Sequence, residues 1–207
     1  MYLISVSLTL QEKYERVKDL RPIDDVFFEV LAADKSVCQE MLRTIIGDSA
    51  LVVEDVIVQS DERNLYGRSV RLDALCFLSD GSKCNIEVQR ADNDDHLKRA
   101  RYNASVITAK ESESGTRFED ISDVYIVYIS EKDFLKGGKT LYHVDKVLRE
   151  TGEVISDGLS EIFVNAAVKD SSDVSELMEC FLKKDVDSGK FPLLAKRVKD
   201  LKNTEKG

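Results

Sequence analysis

The chain has no tryptophan, two prolines, two histidines and ten glycines in 207 residues. His96 and His143 leave little material for a histidine-rich metal site or a histidine-based nucleophilic triad. Cys38, Cys76, Cys84 and Cys180 form no CxxC pair and lie in apolar periodic segments, so buried free thiols are expected rather than zinc ligands or disulfides. With so little proline and glycine there are no low-complexity linkers, no internal repeat is visible, and nothing marks a firm domain boundary. No apolar run approaches the roughly 20 residues that a membrane-spanning helix needs. The nearest, residues 2–10, has neither a basic leader nor a small-residue cleavage site and runs into Gln11-Glu12-Lys13. It is not read as a signal peptide, and a cytoplasmic location is expected.

What is present is a hydrophobic share of 43% against a charged share of 33%, the balance of a soluble globular protein able to bury a core in one main domain. The net charge of −9 argues mildly against nonspecific binding to nucleic acid, since phosphate contacts are the main source of that affinity. Distribution matters more than the sum, and Lys98, Arg99 and Arg101 form a local basic cluster. Hard-cation chemistry on oxygen ligands stays open.

Asp24 or Asp25 can cap a helix whose apolar positions Phe28, Leu31, Cys38, Met41, Leu42, Ile45 and Ile46 run to a stop at Gly47. Residues 51–58 are β-branched and read as a strand. Residues 70–78 and 83–89 then form a hairpin whose register can be argued. Leu72, Ala74, Cys76 and Leu78 share one face of the first strand, and Cys84, Ile86 and Val88 share one face of the second. Joining the two rows needs partner numbers that sum to an even value, which a two-residue Asp80-Gly81 turn fails to provide. A three-residue loop, Ser79-Asp80-Gly81 with Gly81 left-handed, pairs Leu78 with Ser82, and therefore Asp73 with Glu87 and Arg71 with Gln89. The face away from the apolar rows then carries two carboxylates about 5 Å apart at Cβ, with Gln89 two residues farther on. Carboxylates taken out of water need positive charge between them, and one divalent cation can bridge that gap. A structural pair satisfied by Arg71 is the alternative.

After a polar loop at 91–94, Asp95 is expected to cap a helix burying Leu97, Ala100, Ala104 and Ile107, with Arg99 and Tyr102 on a different face. Residues 124–129 read as an interior strand. Residues 141–147 and 161–165 are candidate strands or irregular segments with turns at Gly152 and Gly158, and residues 174–183 and 193–202 read as amphipathic helices, with 203–207 fraying. The order helix, three strands, helix, strand indicates an α/β fold with a mixed sheet flanked by helices.

Taken together, Asp24-Asp25-Val26-Phe27-Phe28 with Cys38 and Leu42, then Val70-Arg71-Leu72-Asp73, Asn85-Ile86-Glu87-Val88-Gln89 and Leu97-Lys98-Arg99-Ala100-Arg101-Tyr102 carry a resemblance. Over most of its length the chain resembles the PD-(D/E)XK nuclease superfamily, in its bacterial branch of recombination-promoting nucleases and transposases. D…ExQ alone occurs by chance in many proteins, so the order and spacing of the set carry the likeness. The resemblance implies a restriction-endonuclease-like core of order αβββαβ at 24–165, after an N-terminal segment at 1–23 and before a helical C-terminal extension at 166–207. It implies Asp73 and Glu87 as ligands of Mg²⁺ or Mn²⁺, with the Val88 carbonyl as a third oxygen. Gln89 joins them as a catalytic residue, in the position that is lysine in much of the superfamily. Asp25 is a further candidate ligand, against a helix-capping role. Arg71, Lys98, Arg99, Arg101 and Tyr102 are candidates for phosphate contact or support of the ligands, against surface salt bridges or packing.

The function so implied is a divalent-metal-dependent DNA endonuclease, a hydrolase of phosphodiester bonds. RNA stays open as a substrate, no membrane partner is expected, and a homodimer is left open. Glutamine supplies no positive charge where lysine would. With the acidic balance, this keeps a second reading: the same fold as a catalytically weak or inactive nucleic-acid-binding or protein-interaction module.

Overall fold

The computed structural model describes residues 10–62, 70–90, 95–112 and 115–203. The expectations for residues 2–9, for the loop at 91–94 and for fraying at 204–207 lie outside these residues. Helix α1 (Leu10–Asp19) opens the described chain in a segment to which the sequence reading assigned no element. The single helix expected up to Gly47 is two helices, α2 (Asp25–Ala32) and α3 (Lys35–Ile46). Asp34 makes the break. Its carboxylate accepts from the Ser36 amide at 3.0 Å and from the Ser36 hydroxyl at 2.6 Å, an N-cap that competes with a continuous helix. Gly47 ends α3 as expected, at φ 79° in the left-handed region, with its amide donating to the Arg43 carbonyl.

Strands β1 (Val53–Glu62), β2 (Val70–Leu78), β3 (Lys83–Gln89), β4 (Val124–Ser130), β5 (Leu141–Val144) and β8 (Leu159–Asn165) make one sheet in the order β1-β2-β3-β4-β8-β5. β3 to β4 and β4 to β8 are parallel pairs, and the other neighbours are antiparallel. The expected stretch 141–147 divides between β5 and β6 (Lys146–Val147), and β6 pairs with β7 (Val154–Ile155) as a separate hairpin. Helix α4 (His96–Glu111) makes the crossover from β3 to β4, as parallel strands require. Helices α5 (Asp173–Phe181) and α6 (Pro192–Asn203) follow the sheet. This mixed six-stranded sheet with helices on both faces is a restriction-endonuclease-like α/β fold.

Two apolar clusters hold the layers. The larger joins α2, α3, α5 and α6 to the sheet through residues such as Phe28, Leu42, Ile86, Ile129, Leu177 and Leu194. Phe28 and Phe181 meet there with ring centroids 6.2 Å apart. The smaller joins α4 to the other face through Leu75, Ala100, Ala104, Ile107, Tyr128 and Phe163. Leu72 belongs to this second cluster, not to the one that takes Ala74, Cys76 and Leu78. β2 therefore changes faces at Asp73, and the expected common row is one residue shorter. Leu97, expected in the buried stripe of α4, is 47% exposed. His96 takes its place, its ring stacked on Phe134 and its Nδ1 3.0 Å from the Tyr128 hydroxyl. All four cysteines are buried and free. No helix among the described residues is long and apolar enough to cross a membrane.

Phe28 has no exposed surface, whereas Phe118 is 93% exposed. Phe28→Ala should lower the unfolding free energy by about 3–5 kcal/mol, and Phe118→Ala should change it by less than about 0.5 kcal/mol. Urea denaturation of the two variants checks both values.

Candidate active site

The β2–β3 loop is the three-residue turn required by the apolar rows. The Leu78 amide donates to the Ser82 carbonyl at 2.9 Å, the Gly81 amide returns to Leu78 at 3.0 Å, and Gly81 has φ 89°. The ladder runs from Phe77 opposite Lys83 to Ala74 opposite Ile86, in the expected register. It stops there. Asp73 with Glu87 and Arg71 with Gln89, expected as the next facing pairs, are not ladder partners, because β2 leaves β3 at this point. The side chains take over the pairing: the Val88 amide donates to Asp73 Oδ2 at 3.0 Å, and the Asp73 amide donates to Glu87 Oε1 at 3.3 Å. Amides that would be orphaned by the parting strands are thereby satisfied by the two carboxylates.

This arrangement holds like charges close together in a dry place. Glu87 is 1% exposed. Burial first, and the neighbouring Asp73 second, push its pKa from 4.5 up to about 7. Burial also raises Asp73, and the charges of Asp25 and Glu29 add to the effect, while the Val88 amide and Arg99 oppose it. Arg99 reaches in from α4, with Nη2 3.4 Å from Glu87 Oε2 and Nη1 donating to Gln89 Oε1 at 2.9 Å. The buried Asn85 amide donates to Glu87 Oε1 at 3.1 Å.

Of the expected site residues, the fold thus gathers Asp73, Glu87, Val88, Gln89 and Arg99. Asp25 is exposed in the first turn of α2, with its charge felt at Asp73. Arg71 lies exposed on β2, and Tyr102 is half-buried on α4. Lys98 is 71% exposed and pairs with Asp95. Arg101 lines a groove of about 730 Å³ between α4 and β8, together with Lys146 and Glu161, away from the two carboxylates. Two contributors escaped the sequence reading. Glu29 is one helical turn after Asp25, a spacing that places both on one face, and Asn85 is two residues before Glu87 on the same side of β3. A third feature is the mooring of α2. Asp24 is 7% exposed and pairs with Arg21 at 3.2 Å and Arg90 at 2.9 Å, and Glu131 pairs with the same two arginines. The network ties the start of α2 to the ends of β3 and β4.

Among the described residues, no group of three or more His, Cys, Asp or Glu side chains is gathered closely enough to hold a metal ion by itself. The donors that Asp73 and Glu87 present are hard carboxylate oxygens whose mutual repulsion raises both pKa values, and an oxygen-seeking divalent cation relieves that repulsion. The pair fits Mg²⁺ or Mn²⁺, and the thiols, confined to the cores, offer no competing soft site at this point.

Between pH 4.5 and about 7 the folded chain holds a proton on Glu87 that the unfolded chain has lost. The stability from this group is therefore full below its unfolded value and is lost as pH rises through its folded value. Thermal unfolding in a chelating buffer should show the wild type losing Tm across that window relative to Glu87→Gln, which has no proton to release. Parallel Tm profiles for the two proteins would contradict a raised Glu87.

No curated protein and no solved structure matches the chain. A family model described as PD-(D/E)XK nuclease family transposase matches residues 22–183. That span takes in α2 with its acidic face, the parted strands with Asp73 and Glu87, and Arg99 on α4, and with it the chain belongs to the PD-(D/E)XK nuclease family transposases.

Proposed function

We propose that the chain is a divalent-metal-dependent endonuclease that hydrolyses phosphodiester bonds of DNA at Asp73 and Glu87. The supporting observation is the pair itself: two carboxylates brought together at the end of a ladder, one of them 1% exposed, with Arg99 as the cation in contact. The transposase description of the matched family supports DNA as the polymer, and nucleases of this superfamily generally use divalent metals. When bound, Mg²⁺ or Mn²⁺ supplies positive charge against a phosphate oxygen and acidifies a water at neutral pH.

The remaining work falls to the chain. Asp73 and Glu87 hold the cation, with the Val88 carbonyl beside them and Asp25 available from α2. The Asn85 amide and the Asp73 backbone amide fix Glu87 Oε1. Arg99 holds Gln89 through its amide oxygen, which turns the Gln89 amide nitrogen away from Arg99 as a donor to a water or a phosphate oxygen. The guanidinium provides, from α4, the positive charge that lysine provides at the Gln89 position in much of the superfamily. Arg71, Lys98, Arg101 and Tyr102 lie along β2 and α4 as contacts for flanking phosphates.

Nicking of supercoiled plasmid with Mg²⁺ or Mn²⁺ tests this reading. Asp73→Ala and Glu87→Ala should each lower the rate by about 10²-fold or more, and Arg99→Ala by at least about tenfold. Equal cleavage by wild type and all three variants would remove the site. A wild type that binds nucleic acid but neither cleaves it nor takes up Mn²⁺ would leave the fold as a binding module.

A further inference from the structure

Three non-glycine residues among those described have positive φ: Gln59, Lys136 and Ser171. Gln59 alone lies within a strand. On β1 it falls between the Val58 to Ala74 and Ser60 to Leu72 pairs, the place beside Asp73, and its φ is 50°. A side chain with a Cβ disfavours this left-handed conformation, and a residue held there inside a strand needs a compensating interaction. The compensation is visible in the side chain, whose Nε2 donates to Oε2 of Glu29 on α2.

Glu29 is half-buried, and α2 crosses β1, β2 and β3 at this end of the sheet. Its charge, with that of Asp25, is close enough to disfavour ionised Asp73. Packing alone would turn a carboxylate on a helix edge away from another carboxylate toward water. Here a neutral amide on the neighbouring strand holds it in place, so the repulsion is built in rather than relaxed. An amide suits this task because it donates a hydrogen bond without neutralising the negative charge it aims.

We propose that Gln59 is a positioning residue that holds Glu29 beside Asp73 as an additional oxygen donor toward the divalent cation of the nuclease site. The inference rests on the metal-dependent reading above and deepens it. Gln59 touches neither the cation nor substrate and acts through Glu29. The chain conformation at position 59 gives a clean way to separate this role from a structural one, since glycine and asparagine both accept positive φ more readily than glutamine.

The experiment is calorimetric titration of the full chain with Mn²⁺, alongside thermal unfolding without metal, for wild type, Gln59→Gly, Gln59→Asn, Glu29→Gln and Asp73→Ala. Gln59→Gly and Gln59→Asn should keep or raise the metal-free Tm while weakening Mn²⁺ binding by about tenfold, the scale typical of residues that orient a ligand. Glu29→Gln should weaken binding at least as much, and Gln59→Gly added to it should cost nothing further. Asp73-dependent Mn²⁺ binding that both Gln59 variants leave unchanged would overturn this inference alone. Wild-type heats identical to those of Asp73→Ala would overturn the metal-site reading and this inference with it.

Discussion

Where β2 leaves β3, two backbone amides lose the partners a continued ladder would have provided, and two carboxylates receive them: Val88 donates to Asp73, and Asp73 donates to Glu87. Those bonds hold the carboxylates against their own repulsion in a place where one of them is almost wholly dry. The unfavourable part of the arrangement is not removed by the fold, as the raised pKa values of both groups record. A site that keeps negative charge crowded and only partly answered by Arg99 is electrostatically prepared for a cation, and that preparation is what the remaining elements maintain.

Each layer contributes to it. On one face, Asp24, Arg21, Arg90 and Glu131 moor the start of α2 to the ends of β3 and β4, so the acidic residues that follow Asp24 cannot drift from the sheet. On the other face, α4 runs back along β3, with Arg99 at Glu87 and Gln89 near one end and Glu111 paired with Lys83 near the other. The apolar clusters beneath both helices supply the rigidity, since close-packed interiors transmit small displacements rather than absorb them. Gln59 fits the same logic from β1: backbone strain at one strand position is retained where it aims a side chain.

Much of this was legible before folding. The alternation of Ala74, Cys76 and Leu78 with Cys84, Ile86 and Val88 determined the loop length and the register, because only one parity joins the two apolar rows. Asp95 and Gly47 were readable as helix ends for local chemical reasons, a carboxylate that caps an amide at 3.0 Å and a residue that tolerates positive φ. Local pattern misled where two options were equally local. Asp34-Lys35-Ser36 divided a stretch whose apolar spacing reads as one helix, since a cap of three residues outweighs periodicity on either side of it. At the start of α4 the apolar Leu97 yielded the buried position to His96, because Phe134 and Tyr128, distant in sequence, form an aromatic seat for an imidazole.

The sequence by itself determined the family likeness, the order of elements and the pairing of the two strands that carry Asp73 and Glu87, because these depend on residue type and on periods of two and 3.6 along the chain. Only the tertiary structure decided that the ladder ends at Ala74, that Leu72 changes faces there, and that the nearest cation is Arg99 on α4 rather than Arg71 on β2. It also decided that Glu29, with Gln59 bonded to it, stands near Asp73. The physical reason is that burial, field and strain are properties of what packs around a residue, and the partners that set them come from helices and strands far apart in the chain.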